Sequence, residues 1–145
     1  MTMDTQRHWA GYVWAAPASL TGLLLAVPAL LAGGRARCVQ GTLEVSAGRG
    51  ARIMQRCRIR AITFGHVVLG QDAATLATLR THEQVHVRQY ERLGVFMLLL
   101  YPLESLYQWC RGNNPYRDNR FERAAFAAER RAAVSRDQAG GNAAG

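Results

Sequence analysis

The chain has 145 residues, which is enough for one domain of ordinary size and little more. All eighteen basic side chains are arginine, and with ten acidic ones they give a net charge of +8, which favours an anionic partner such as phospholipid head groups or nucleic acid. The three cysteines have no C-x-x-C spacing, so they argue against a disulfide framework. We expect them to be small buried residues in a protein of a reducing compartment.

The N-terminal third combines a short polar segment with a long apolar one. Residues 1–8 are polar and are predicted to form a flexible N-terminus. Residues 9–34 carry no charge and are long enough to cross a bilayer, which takes about 20 apolar residues. Pro17 and Pro28 would break a soluble helix but are tolerated in membrane helices. We therefore predict a transmembrane or membrane-inserted segment over residues 9–34, with a cleaved signal peptide and a hairpin that enters one leaflet as open alternatives.

Arginine dominates the chain directly after the apolar segment. Arg35 and Arg37 follow it, whereas only Arg7 precedes it, so the positive-inside bias predicts a cytoplasmic-membrane protein whose domain faces the cytoplasm. Five further arginines are expected to contact anionic membrane lipids, at about 1 kcal/mol each: Arg49, Arg52, Arg56, Arg58 and Arg60. Nucleic acid is the weaker alternative, because no nucleic-acid-binding motif is recognisable. A solvated basic face without a partner is the third alternative.

Residues 35–137 are predicted to form one α+β domain that is mainly helical, followed by a disordered tail over residues 138–145. Apolar residues punctuated by Gly41 and Gly48 predict a short hairpin at the start of the domain. The basic stretch ARIMQRCRIR predicts either a short helix or a strand along the membrane surface. AITFGHVVLG, residues 61–70, is rich in β-branched and aromatic residues and predicts one strand.

Three helices are predicted in the second half of the chain. Asp72 is the expected N-cap of a helix over residues 73–93, which Gly94 ends. VFMLLLYPLESLYQWC is too short and too interrupted for a second span, so it predicts a buried or membrane-abutting helix that kinks or restarts at Pro102. Asn119 is the expected cap of a last helix that begins with RFERAAF.

The stretch RTHEQVHVRQYE contains the pattern H-E-x-x-H at His82, Glu83 and His86. On a helix, residues four apart lie on one face, so each imidazole can give one nitrogen to a single zinc ion. Glu83 is rotated about 100° from His82, where a carboxylate can act as general base on the water that such an ion keeps. The pattern predicts a catalytic zinc ion, and the alternative is two histidines and a glutamate on an ordinary surface helix.

A catalytic zinc ion needs a third protein ligand, and a glutamate beside two histidines is an established set. Four glutamates are candidates: Glu91, Glu104, Glu122 and Glu129. Glu91 faces away from the histidine stripe and Glu104 lies in the apolar helix, whereas Glu122 opens a separate helix that can fold back. We choose Glu122, although Asn119-x-x-Glu122 is also a capping-box pattern in which Glu122 would bond to the Asn119 amide.

THEQVHVRQYERLG followed by NPYRDNRFERAAFAAE resembles the small gluzincin-type domains of bacteria, the minigluzincins and related H-E-x-x-H domains. The resemblance covers roughly residues 59–130, in the order strand, H-E-x-x-H helix, apolar helix and N-x-x-E-x-x-A helix. It implies a zinc-dependent peptidase fold in which one Zn²⁺ is held by His82, His86 and Glu122, with Glu83 as general base. An arginine follows the asparagine of the second motif, where such motifs often carry proline.

The expected activity is therefore hydrolysis of a peptide or protein substrate by a membrane-associated zinc metallopeptidase. The alternative is a non-catalytic membrane-associated domain that keeps the same fold, with or without a structural zinc ion. The strand before the H-E-x-x-H helix is expected to lie along the cleft, where its edge can pair with a substrate backbone. Candidates for contacts in the cleft or for an oxyanion donor are Tyr90, Tyr116, His66 and Arg117. A structural role for His66 and a core position for Tyr90 are the open alternatives.

Overall fold

The computed structural model describes residues 3–142, and over this range it confirms the predicted α+β class. The five α-helices of this range are α1 (Met3–Leu31), α2 (Ala51–Arg56), α3 (Ala73–Leu93), α4 (Met97–Cys110) and α5 (Arg120–Asn142). The four β-strands of the same range are β1 (Arg35–Val39), β2 (Thr42–Ser46), β3 (Ala61–Phe64) and β4 (Val67–Gly70).

The strands of the described range form one mixed sheet in the order β1-β2-β4-β3. β1 and β2 form the predicted hairpin, β2 pairs in parallel with β4, and β3 pairs antiparallel with β4. Residues 61–70, predicted as one strand, are instead a second hairpin. The chain reverses at Gly65, whose φ of +58° is a conformation that glycine adopts without steric cost. This reversal makes β3 an edge strand that contacts α3.

Helix α1 packs along the sheet and α3 and is part of the hydrophobic core. Gly22 allows a close approach of α1 to the sheet, because a Cβ added there would lie 2.8 Å from the Val67 Cβ. The Tyr12 hydroxyl also donates a hydrogen bond to the Gly41 carbonyl at 2.6 Å. The apolar segment predicted over residues 9–34 therefore packs against the domain predicted over residues 35–137. The small residues of α1 that are buried against the sheet, α3 and α4 are Ala15, Ala18, Ala26 and Ala29.

Helices extend into both segments that were predicted to be flexible. α1 begins at Met3, and α5 continues to Asn142 through a run rich in alanine and arginine, which are strong helix formers. Residues 3–8 and 138–142 are therefore helical. The remaining parts of these two predictions, residues 1–2 and 143–145, lie outside the described residues.

The ends of α3 lie where the sequence predicted them. The predicted restart at Pro102 within α4 is not observed. The Asp72 carboxylate accepts a hydrogen bond from the Thr75 amide at 2.7 Å and caps α3, which ends before Gly94. α4 continues through Pro102 as one helix, and most of its apolar side chains are exposed. The prediction of buried cysteines is wrong, because all three side chains are exposed free thiols.

Candidate metal centre

Two helices bring the predicted zinc ligands together. His82, Glu83 and His86 are buried residues of α3, and Glu122 is a buried residue in the first turn of α5. Because α5 packs against α3, the Glu122 carboxylate meets both imidazoles. These three ligands are separated by up to 40 positions in the sequence, and only the packing of α5 places them at one point.

Asn119 holds the start of α5 in the orientation that the site needs. Its side chain is fully buried, and its Oδ1 accepts a hydrogen bond from the Phe121 amide at 2.9 Å. Its Nδ2 donates to the Tyr101 carbonyl at 3.2 Å and to the Ser105 hydroxyl at 2.8 Å, which ties α5 to α4. Asn119 thus caps the helix as predicted, while the Glu122 carboxylate turns to the histidines instead of completing a capping box.

One donor atom from each of the three groups lies within 4.8 Å of the other two, and the carboxylate presents a different oxygen to each ring. His82 Nε2 lies 3.1 Å from Glu122 Oε2 and 3.3 Å from His86 Nε2. His86 Nε2 lies 3.3 Å from Glu122 Oε1. A zinc ion with tetrahedral bonds of about 2.0–2.1 Å separates its ligand atoms by about 3.3–3.4 Å. The donor set is therefore compact enough to hold one such ion.

Polar groups behind the two rings, a hydrogen bond for His86 and a nearby carboxylate for His82, favour a proton on each Nδ1. The Phe121 carbonyl can only accept, so Gln89 donates to it from Nε2 at 3.1 Å and presents Oε1 to His86 Nδ1 at 2.9 Å. When the His86 ring is neutral, Nδ1 therefore carries the proton and Nε2 has the lone pair that a metal ion would use. His82 Nδ1 lies 3.5 Å from a Glu129 carboxylate oxygen, whose negative charge favours a proton on that nitrogen. Such outer partners are typical of histidines that ligate a metal.

The cluster strongly attracts positive charge. Burial alone would raise the pKa of the Glu122 carboxyl, but hydrogen bonds from His82 and His86 outweigh burial and hold that pKa far below its usual range. Burial also lowers the pKa of His86, but the hydrogen bond with Glu122 outweighs this effect and raises that pKa above its usual value. An ionised carboxylate that pulls a proton onto the neighbouring imidazole would also favour a divalent cation.

Glu83 lies beside the ligands and faces the cleft. Its Oε2 accepts a hydrogen bond from the Thr63 hydroxyl of β3 at 2.7 Å. This bond fixes the position of the carboxylate and uses only one of its two oxygens. The other oxygen is the one that can take a proton from a water held at the metal centre.

The ligands open into a cleft with a volume of about 1010 Å³. The edge strand β3 lines one side of it, as expected for a strand whose free edge pairs with a substrate backbone. Met97 and Tyr101 of α4 and Phe126 of α5 supply apolar surface to the same cleft. The candidate ligand group is therefore buried within the protein and still accessible from this cleft.

Three of the four candidate contact residues line the cleft, namely Tyr90, Tyr116 and Arg117. Burial raises the pKa of Tyr90 to about 12. Burial and the nearby Glu122 carboxylate raise the pKa of Tyr116. Both phenols are therefore neutral at physiological pH and are hydrogen-bond donors.

His66, the fourth candidate contact, is not among the described residues that line the cleft. His66 Nε2 lies 3.1 Å from Glu91 Oε1, and its ring stacks on the Tyr12 ring with 3.9 Å between centroids. The His66 amide donates to the Ser19 hydroxyl at 3.0 Å. His66 thus joins the β3–β4 turn to α1, because the hairpin at Gly65 turns it away from the metal ligands.

Three residues of the site were missed by the sequence analysis: Tyr101, Thr63 and Gln89. The Tyr101 hydroxyl donates to Glu122 Oε1 at 2.6 Å and holds the carboxylate from the side of α4. In the same way, the Thr63 hydroxyl holds the Glu83 carboxylate, and Gln89 Oε1 holds the His86 ring at Nδ1. The sequence could have indicated these three residues only through the general rule that buried polar groups need hydrogen-bond partners.

The five arginines that were predicted to contact lipids lie in two separate groups in the structure. Arg58 and Arg60 line the cleft of the metal centre. Arg49, Arg52 and Arg56 are exposed on or next to α2 and do not line it. Lipid contact by this second group stays a prediction.

No protein-family model matches this chain, and comparisons with curated proteins and with solved structures give no match either. The geometry and chemistry of the metal centre therefore carry the functional interpretation.

Proposed function

We propose that this protein is a membrane-associated zinc metallopeptidase that hydrolyses a peptide bond. The observation that supports this proposal most is the approach of His82, His86 and Glu122 to one point, with Glu83 beside them in an accessible cleft. Two imidazole nitrogens and one carboxylate suit Zn²⁺ and leave a coordination position open. The arrangement is the one implied by the resemblance to gluzincin-type domains.

The proposed chemistry divides between the ion and the residues of the chain. A zinc ion bound by the three ligands would activate a water and polarise the scissile carbonyl. Glu83 takes a proton from the attacking water as the new C–O bond forms. It then gives this proton to the amide nitrogen as the C–N bond breaks, so the products are a carboxylic acid and an amine. Thr63 holds Glu83 in position, and a phenol from Tyr90 or Tyr116 donates to the substrate carbonyl oxygen.

Metal analysis of purified protein tests the ligand set. The wild-type chain should hold one zinc ion, and His86→Ala and Glu122→Ala should each lose most of it. His66→Ala is the matched control, because it removes a buried histidine outside the cluster and should keep the metal. Unchanged zinc content in both ligand variants would overturn the proposed site.

Peptide hydrolysis tests the role of Glu83 separately. Glu83→Gln should keep its zinc and lose activity by a factor of about 10²–10⁴, because a positioned general base contributes that much. A library of unstructured peptides is a suitable substrate mixture, with products detected by mass spectrometry. Full activity of the Glu83→Gln variant would exclude Glu83 as the base.

A non-catalytic domain with a structural metal is the second candidate function. The Thr63–Glu83 hydrogen bond favours it, because a carboxylate engaged in the free protein is less available as a base. In that case the wild-type protein would bind zinc, lose thermal stability on chelation and release no products from any peptide. Thr63→Val would then leave the zinc content unchanged and create no activity.

We also propose attachment to the cytoplasmic face of the cell membrane through exposed apolar surface on α1 and α4. The stretch Trp9–Leu31 of α1 is long and apolar enough to cross a membrane, although core helices and signal sequences share these properties. The Trp14 ring of α1 lies 6.2 Å from the Phe96 ring that precedes α4, so the exposed surfaces of the two helices are continuous. Because α1 also packs on the sheet, lipid would contact only its outer side.

Vesicle flotation tests the α4 part of this surface. Leu99 and Leu103 are 63% and 58% exposed, and replacing both with glutamate should release the protein from vesicles of phosphatidylcholine and phosphatidylglycerol. Val134→Glu is the matched control, because Val134 is 55% exposed on α5. Equal loss of flotation in the control would show a general charge effect and contradict the assignment to α4.

A further inference from the structure

Arginines surround the mouth of the cleft that holds the metal centre. Arg58 and Arg60 line it just before β3, and Arg117 and Arg130 line it before and within α5. All four side chains are exposed. Among the described residues, none of the four has a carboxylate within 4.0 Å, in contrast to the two arginines that pair with Glu44. These four positive charges are therefore available to a ligand.

The carboxylates among the described lining residues all belong to the metal centre. Glu122 is the proposed ligand and Glu83 the proposed base, and Glu129 lies against His82. A bound divalent cation would offset much of this negative charge. Away from the centre, the charged groups of the described cleft wall are arginines.

A second groove continues this cationic surface along α5. It has a volume of about 450 Å³ and is lined by arginines at four positions, namely Arg117, Arg120, Arg123 and Arg130. It shares Arg117, Phe126 and Arg130 with the cleft of the metal centre. The two spaces therefore adjoin, and an extended ligand in the cleft can continue along α5.

We propose that the substrate of the metal centre is an acidic peptide. Its carboxylates on one side of the cleaved bond lie along Arg117 and Arg130, and those on the other side lie near Arg58 and Arg60. Its central residues are apolar, because apolar side chains such as Phe126, whose ring lies 4.9 Å from the His82 ring, line the cleft beside the candidate ligands. This inference rests on the proposed function, since it names the substrate class of the same site.

An acidic peptide fits these arginines better than an anionic membrane surface does. The four side chains converge on a concave space that leads to the metal ligands, whereas lipid head groups form a flat layer and would contact only its rim. An extended peptide can also pair with the edge of β3 while its side chains reach the arginines. Lipid head groups have no backbone that would use this edge.

Fluorescence anisotropy with a non-cleaving protein tests the inference. The protein is the zinc-loaded full chain with Glu83→Gln, and the probe is a labelled peptide with apolar residues at its centre and glutamates on both sides. Comparison peptides carry glutamine or lysine in place of glutamate. We expect the acidic peptide to bind about tenfold more tightly than the glutamine peptide, and the difference to shrink at high salt.

Paired substitutions of one arginine just before α5 and one within it locate the effect. Arg117→Gln with Arg130→Gln should reduce affinity for the acidic peptide about tenfold, which makes it similar to the glutamine peptide. Arg131→Gln with Arg136→Gln is the matched control, because these arginines lie on the same helix and line neither space. Equal affinity for the three peptides, or an equal loss in the control, would overturn the inference.

Two further outcomes separate this inference from its rivals. If the Arg117 and Arg130 variant loses binding to phosphatidylglycerol vesicles but keeps its preference for the acidic peptide, the arginines serve lipids and the inference is wrong. If the wild-type protein binds the acidic peptide through these arginines but never cleaves it, the proposed hydrolysis fails while the acidic-peptide site stands. If the wild-type protein instead cleaves acidic and neutral peptides equally, the proposed hydrolysis stands and the acidic-peptide inference is wrong.

Discussion

Gln89 determines which nitrogen of His86 can bind a metal, although Gln89 does not touch the metal centre itself. Its amide is oriented by the Phe121 carbonyl, which accepts from Nε2 and turns Oε1 towards His86. The proton of His86 is thereby kept on Nδ1. A single hydrogen-bond relay from the backbone of α5 thus prepares a ligand on α3.

Removing this relay should weaken zinc binding without removing a ligand. In Gln89→Leu, His86 is free to change tautomer and to rotate, so we expect zinc affinity to fall by a factor of about 10–100. Competition with a chromophoric chelator measures this change. Gln84→Leu is the matched control, because Gln84 lies on the same helix but bonds to the Thr42 hydroxyl. Equal affinities of the two variants would show that the relay has no effect on the metal.

Glu44 connects three elements of the fold. It lies on β2 with 3% of its surface exposed, and it accepts from Arg37 of β1 and from Arg80 of α3 at 2.7–3.1 Å. Burial alone would raise the pKa of the Glu44 carboxyl, but hydrogen bonds and charge attraction from the two arginines outweigh burial and lower that pKa below 4.5. The H-E-x-x-H helix is therefore joined to the sheet by an ionised carboxylate.

This connection should appear in the pH dependence of stability. Because the folded pKa of Glu44 lies below the unfolded value near 4.5, its contribution is present above pH 4.5 and is lost as the pH falls through the folded pKa. Glu44→Gln should lower the free energy of unfolding at neutral pH by about 1–3 kcal/mol. Urea unfolding across this pH range should show the two proteins converging on acidification. A difference that stays constant would contradict the assignment.

The packing of α1 determines how the molecule as a whole can sit on a membrane. An isolated bilayer span is surrounded by lipid, whereas α1 buries one side against the sheet, α3 and the start of α4. Cleavage of a signal sequence would remove this part of the core. The apolar segment is therefore a structural element of the domain as well as a candidate membrane contact.

Gly22 distinguishes a docked α1 from a separate span. In Gly22→Val, the new Cβ would lie 2.8 Å from the Val67 Cβ and 2.9 Å from the Phe64 Cβ, so the helix must move off the sheet. We expect a loss of about 1–3 kcal/mol in the free energy of unfolding, measured in detergent. Leu24→Ala is the control, because Leu24 is 74% exposed and its truncation should have little effect. Unchanged stability of Gly22→Val would mean that α1 does not pack on the domain.

Local features of the chain were predictable because each depends on neighbouring residues. The helix over residues 73–93, its Asp72 cap and the shared face of His82 and His86 follow from helical periodicity and from the hydrogen bonds of the first turn. The β1–β2 hairpin follows from Gly41 between two short apolar runs. The candidate ligand Glu122 was identified because a zinc ion requires a third ligand, and not because its position could be calculated.

The remaining features depend on contacts between distant parts of the chain, for which local patterns carry little information. Glu122 reaches His82 across 40 positions only because the buried Asn119 fixes the start of α5 to α4. His66 looked like a neighbour of the site, but the reversal at Gly65 turned it towards α1. The sequence of α1 resembles that of an isolated membrane anchor because hydropathy reports affinity for lipid and for a protein core alike. The close packing at Gly22 shows that α1 contacts the core of its own domain.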